Sequence, residues 1–243
     1  MVSEHIVKSY DDELNRLNRT IVEMGGLAES QLAAAIRAFS EQDNELAANI
    51  VEEDEKVNEL NFDVDQFAVQ LLALRSPMAE DLRSIIGALK ISSDLERIAD
   101  YAANVAKRVI VMDEYPSAKL AAGIPRMAAL VQPMIKDILD AYVARDPEKA
   151  MEVWNRDIEV DDIYMSLFRE FLTYMMEDPR NITPCTHLLF MAKNIERIGD
   201  HVTNIAETIY FLVHGKRMRE HRPTINEGNS VVTPLTSRSK LER

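Results

Sequence analysis

The sequence predicts an all-α fold of two tandem three-helix bundles with up-down antiparallel helices, followed by a disordered C-terminal tail. Three observations predict it. Apolar residues recur in steps of three and four along six segments, the spacing of one helical face. Glycine is scarce, at 7 of 243 residues, whereas Ala, Leu, Glu and Met, which favour helices, are abundant. The third and sixth segments repeat one another at an offset of 100 residues, the mark of a duplicated structural unit.

The first helix carries Leu14, Leu17, Ile21, Met24 and Ala28. The second carries Val57, Leu60, Val64, Phe67, Leu71 and Leu74. The third carries Ile91, Leu95, Ile98, Ala102, Val105, Val109 and Met112. The pattern then restarts. Leu120, Ile124, Met127, Val131, Met134, Ile138 and Ala141 mark a fourth helix, Val160, Ile163, Leu167 and Tyr174 a fifth, and Met191, Ile195, Ile198, Val202, Ile205, Ile209 and Leu212 a sixth. Short connections between such helices make antiparallel neighbours.

The breaks have local causes. Asp43 is a candidate N-cap. Ser76-Pro77 separates the second and third helices, and Tyr115-Pro116-Ser117 separates the two halves. Asp146-Pro147 reads as an N-cap followed by proline at the first helical position. Asp178-Pro179 and Thr183-Pro184 bracket the last loop. Pro125 and Pro133 lie off the seam of the fourth helix and predict a late start or a kink. The expected division is 1–114, 115–215 and a tail of 216–243. The tail has seven basic residues, three acidic ones and few apolar ones, a composition that does not sustain a core.

Charge narrows the function classes. The chain has 41 acidic and 28 basic residues, a formal net charge of −13. Such a surface repels phosphate backbones and anionic lipid, which argues against nucleic-acid or direct membrane binding. The N-terminus lacks the basic start and apolar run of a signal peptide, and no segment approaches the roughly 18 apolar residues of a membrane span. Cys185 is the lone cysteine, so no intrachain disulfide forms, which suits a reducing compartment. The expected location is cytoplasmic.

Polar positions recur along with the seams. Leu95-Glu96-Arg97-Ile98-Ala99-Asp100 matches Ile195-Glu196-Arg197-Ile198-Gly199-Asp200, and Asn104 matches Asn204. At an offset of 103, Asp54-x-x-Val57-Asn58 matches Asp157-x-x-Val160-Asp161. Glu96 and Asp100 stand four apart on one helical face, as do Glu196 and Asp200. Like charges at this spacing disfavour a helix by roughly 0.2–0.5 kcal/mol, and basic relief at i±3 or i±4 is thin. An unfavourable feature present in both copies suggests use. Carboxylates beside an amide suit hard cations such as Mg²⁺, Mn²⁺, Ca²⁺ or iron; zinc is a further candidate. The metal-ligand set is therefore Glu96, Asp100, Glu196 and Asp200, with Asp54, Asn58, Asp157, Asp161, Asn104 and Asn204 as secondary members. The projection puts the Glu/Asp stripe nearly opposite the apolar seam, so convergence of the two sets does not follow from sequence. The bland alternative is a solvated helix face.

Other chemistries find less support. Histidines 5, 187, 201, 214 and 221 form no i, i+4 pair, and none follows a Glu by three, so the Glu-x-x-His of di-iron bundles is missing. His201, beside Asp200, is the one histidine near the set. Cys185 follows Pro184 in an expected loop and has no evident base for thiol catalysis. No Gly-rich phosphate loop, nucleophile elbow or zinc Cys/His cluster occurs. Trp154 and the methionines are expected in the core, and Gly25-Gly26 is expected to mark a close helix crossing. Two rival readings remain: a carboxylate-ligated metalloenzyme and a metal-free helical scaffold.

The duplicated Glu-Arg-Ile-x-Asp, with Met24-Gly25-Gly26, Pro77 before Asp81-Leu82-Arg83, and Thr173-Tyr174-Met175-Met176-Glu177-Asp178, resembles the PhoU family over about residues 5–215. The resemblance implies a non-enzymatic negative regulator of phosphate uptake and of the phosphate-starvation response. It implies an adaptor that links the ATPase subunit of a phosphate ABC transporter to a sensor histidine kinase, peripheral to the membrane through those partners. It also implies a homodimer and metal on Glu96, Asp100, Glu196 and Asp200. This sequence departs from the pattern at Ala99, where Gly199 stands in the second copy, and at Asn58, where Asp161 stands. The first site is expected to carry less charge.

Overall fold

The computed structural model describes residues 2–75, 77–112 and 115–218, with side chains described from Asp12 onward. Among these residues there are helices and no strands. Six of the helices are long: α1 (Val2–Glu41), α2 (Asn44–Arg75), α3 (Ala79–Ile110), α5 (Gly123–Ala144), α6 (Pro147–Glu177) and α7 (Ile182–His214). A short α4 (Ala118–Ala121) precedes α5, and a 3₁₀ turn (Pro179–Asn181) precedes α7.

α1, α2 and α3 form one antiparallel bundle, and α5, α6 and α7 form the other. The two bundles join where α3 packs on α7 and α1 packs on α5. The seams of the third, fourth and sixth predicted helices are buried at every position named above. Fully burying one such Leu, Ile or Val side chain stabilises the fold by roughly 1.5–3 kcal/mol. Leu74, at the end of the second seam, is 70% exposed because α2 runs out at Arg75. Trp154 is in the core as expected, but Met78 and Met176 are exposed at helix ends.

Close crossings require missing side chains. A Cβ on Gly25 would strike the Leu139 side chain, which fixes the approach of α1 to α5; Gly26 faces open space. A Cβ on Gly87 would come within 2.5 Å of Leu212 Cδ2 at the α3/α7 crossing.

Helix ends follow the sequence signals in most places. Leu46 N–H donates to Asp43 Oδ1 at 2.9 Å, and Lys149 N–H donates to Asp146 Oδ1 at 2.9 Å. Pro147 occupies the first turn of α6. The fourth predicted helix breaks at Ala122, so Pro125 falls in the first turn of α5, where its missing N–H costs nothing; Pro133 lies inside α5. The last loop is shorter than expected. Thr183, Pro184 and Cys185 belong to the opening of α7, and Cys185 is buried with its thiol pKa pushed up by burial. Of the expected tail, residues 219–243 lie outside the described residues, as does residue 114 at the expected boundary.

Candidate functional site

The single-helix projection misplaces the acidic stripe as a solvated face. α3 and α7 are central helices, each packed on several neighbours. α3 buries Ala99, Ala103 and Ala106 as well as its apolar seam. The Glu/Asp stripe is thereby drawn into the flank of α2, and in the second copy into the flank of α6. The side chains of Glu96 and Asp100 are 21% and 31% exposed, and that of Glu196 is 13% exposed.

In the first copy, Asp54 from α2 meets Glu96 and Asp100 from α3. The Asp54 carboxyl is shifted above its ordinary pKa by burial and then by the charges of Asp100 and Glu96, with Lys107 opposing. Its Oδ1 is buried without a hydrogen-bond partner among the described residues. Asn104 donates to Asp100 Oδ2 at 3.4 Å and accepts from Lys107 Nζ at 3.2 Å, so it stays with the stripe. Arg97, adjacent in sequence, reaches Glu96 Oε2 at 3.4 Å, relief that an i±3, i±4 count does not find. Asn58 lies half-buried one turn beyond Asp54 on α2.

In the second copy, Asp161 from α6 meets Asp200 and Glu196 from α7. Burial, then Asp200, then Glu196 raise the Asp161 pKa from 3.8 to about 6. Asp200 is raised too, by burial and by Glu196. Lys193 Nζ pairs with Glu196 Oε2 at 2.5 Å. Asp157 sits one turn before Asp161 and is 1% exposed, with its Oδ1 against the Cα of Gly199. In each copy one acid of the neighbouring helix, Asp54 or Asp161, therefore lies close enough to the Glu/Asp pair to feel its charge, through packing that no one-helix projection contains.

One member of the set, and the histidine beside it, turn to the junction of the bundles instead. Asn204 leaves the stripe and donates across the junction of the bundles to Asp94 Oδ1 on α3, at 3.3 Å. His201 Nδ1 lies 2.8 Å from the same oxygen, and its ring is 5.6 Å from that of Tyr101. Asp94 was not a sequence candidate. Its counterpart at the 100-residue offset is Asn194, so the repeat gave no signal for it.

The donor chemistry fits a hard cation: carboxylates with a neighbouring amide, three of them (Asp54, Asp161 and Asp200) raised in pKa by burial and then by nearby carboxylates, and a buried Asp54 oxygen without a hydrogen-bond partner among the described residues. The positions are less complete. Among the described residues, no group of three or more His, Cys, Asp or Glu side chains is placed to hold one ion.

A duplicated three-helix-bundle protein with acids converging on each copy is the class defined by this fold. The PhoU domain model matches residues 21–109 and 124–209, one match in each half. The chain is 50% identical over 226 residues to the phosphate-specific transport system accessory protein PhoU homolog of Caulobacter vibrioides, covering 93% of this chain and 98% of that one. The homolog of the same name in Rhizobium meliloti is also 50% identical, over 92% of this chain and 94% of its own. The crystal structure of PhoU from Pseudomonas aeruginosa superposes with a TM-score of 0.82 at 38% identity, covering 85% of this chain and 100% of that chain. The phosphate transport system regulatory protein PhoU from Streptococcus pneumoniae gives 0.81 at 29% identity, covering 86% and 99%. The chain belongs to the PhoU family. Among the described residues, no helix is long and apolar enough to cross a membrane.

Proposed function

We propose that this chain is an accessory protein of a phosphate-specific transport system and a negative regulator of phosphate uptake and of the phosphate-starvation response. It acts as a cytoplasmic, homodimeric adaptor without catalysis, between the transporter's ATPase subunit and a sensor histidine kinase. The observation that carries this reading is identity of about half the residues over nearly the full length of relatives named as transport accessory proteins.

The acidic faces make this adaptor responsive to a divalent or ferric ion, with Mg, Mn, Fe and Zn as candidates. Asp54, Glu96 and Asp100 would hold it in the first copy with Asn58 as an amide donor. Asp161, Glu196 and Asp200 would hold it in the second, with Asp157 behind them. When bound, the ion supplies positive charge to crowded carboxylates. The chain's own residues set how much charge is needed: Asp161 ionises late because burial and two neighbouring carboxylates oppose it. Asn58 leaves the first copy one acid short of the second, which makes it the weaker site.

The test is a chromosomal deletion with a reporter fused to a phosphate-starvation promoter. The proposal expects reporter expression in high phosphate in the deletion strain, and repression restored by the wild-type gene. Normal repression in the deletion strain would overturn the regulatory reading.

A further inference from the structure

A groove of about 490 Å³ lies between α1 and the end of α5, away from both acidic faces. It is lined by Asn15, Asn18, Arg19, Tyr142, Val143 and Arg145, with Val22 at one wall. No lining residue is acidic, in a chain of net charge −13. Among the described residues, neither Arg19 nor Arg145 is ion-paired, whereas Arg75, Arg156 and Arg180 each pair with a carboxylate.

The hydrogen bonds turn the groove into a set of donors. Tyr142, only 2% exposed, donates its hydroxyl to Asn18 Oδ1 at 2.6 Å. That bond uses the acceptor end of Asn18 and leaves its amide N–H groups for the groove. Arg19 Nε donates to the Asn15 carbonyl at 3.3 Å, which leaves its terminal nitrogens. Arg145 sits 5.4 Å over the Tyr142 ring and reaches Ser84 Oγ at 3.4 Å with one nitrogen, leaving the other. A fork of such donors matches the oxygens of a carboxylate or phosphate. Val22 and Val143, 40% and 66% exposed, offer an apolar wall beside it.

The duplication supplies an internal control. At the offset of 103, Arg145 corresponds to Gln42, and both end their helices with positive φ, at 53° and 58°. The turn therefore does not demand arginine. Tyr142 corresponds to Phe39, and Asn15, Asn18 and Arg19 correspond to Ala118, Ala121 and Ala122. The positive-φ turn is repeated, but the two arginines, the two asparagines and the tyrosine hydroxyl occur in one copy only.

We infer that this groove is a binding site for a small organic oxyanion, a carboxylate or phosphate monoester carried on an apolar body. The experiment is calorimetric titration of the full chain with phenyl phosphate, benzoate and inorganic phosphate, repeated on R19Q/R145Q, with circular dichroism to show that the variant is folded. Saturable binding of phenyl phosphate or benzoate, weakened at least tenfold in the variant, is expected; the tighter of the two names the oxyanion. Amide and ring signals of Tyr142 and Val22 should shift in the same titration followed by NMR. Absence of saturable binding by both organic probes, or weakening below twofold in a folded variant, would overturn the inference. Inorganic phosphate binding as tightly as phenyl phosphate would overturn the role of the apolar wall.

Discussion

Gly199 of α7 leaves the space that the Asp157 carboxylate of α6 occupies: a Cβ at that position would collide with Asp157 Oδ1. In the first copy Ala99 stands there, and the matching Asp54 is half-buried where Asp157 is almost wholly enclosed. One methyl group thus accounts for a difference in depth between the two acidic faces. Glycine inside a helix costs about 1 kcal/mol relative to alanine, so helix propensity favours the opposite choice. We predict that Gly199→Ala destabilises the protein by about 1–3 kcal/mol, the usual cost of overpacking. Adding Asp157→Ala should recover part of it, through coupling between residues in contact. Ala99→Gly should cost no more than about 1 kcal/mol. Urea midpoints at unchanged slope measure all three, and a Gly199→Ala protein as stable as wild type would contradict the packing account.

The raised carboxyls predict a definite dependence on pH. In the unfolded chain Asp161 loses its proton near 3.8, and in the fold near 6. Between those values the folded state holds a proton that the unfolded state has lost, so stability falls as pH rises through this window. Asp54 and Asp200 act in the same direction. Metal-free protein should therefore melt higher at pH 5 than at pH 7. Asp161→Asn should stabilise it at pH 7 by about 1 kcal/mol, after allowance for solvent screening of a half-exposed group. That is roughly 2–4 °C in Tm for a chain of this size. A thermal melt of Asp161→Asn that matches wild type at both pH values would refute the assignment.

The two aspartate N-caps make a simpler prediction. Each accepts a backbone N–H at 2.9 Å at the start of a long helix. Asp43→Ala and Asp146→Ala should each cost about 1 kcal/mol, and additively, because they lie in different halves. Chemical denaturation of the two single variants and the double variant checks this. A double variant departing from the sum by more than about 0.5 kcal/mol would show that the halves are coupled through these turns.

Much of the fold was legible because the heptad seams and their caps are local, and each was read from one helix. The site was legible only by residue type. Glu96 and Asp100 looked solvated because a projection sees one apolar face; the second buried face, built from Ala99, Ala103 and Ala106, appears only when α3 is packed among its neighbours. Asp94, which collects His201 and Asn204 from the other bundle, left no trace in the repeat because its counterpart is Asn194. The register of α3 against α7 places these residues together, and no single helix encodes that register. The entry of Thr183 and Pro184 into α7 was missed for a related reason. Proline reads as a break, yet the first turn of a helix accepts it.

The most direct test is metal content. Wild-type protein and the Glu96→Ala, Asp100→Ala, Glu196→Ala, Asp200→Ala quadruple variant would be equilibrated with Mn²⁺, desalted and analysed for bound metal, with helicity confirmed for both. The account predicts bound metal in the wild type and its loss in a variant that remains helical. Equal metal content in the two, whether high or near zero, would contradict a metal role for the repeated acids and return them to protein contact or a solvated surface.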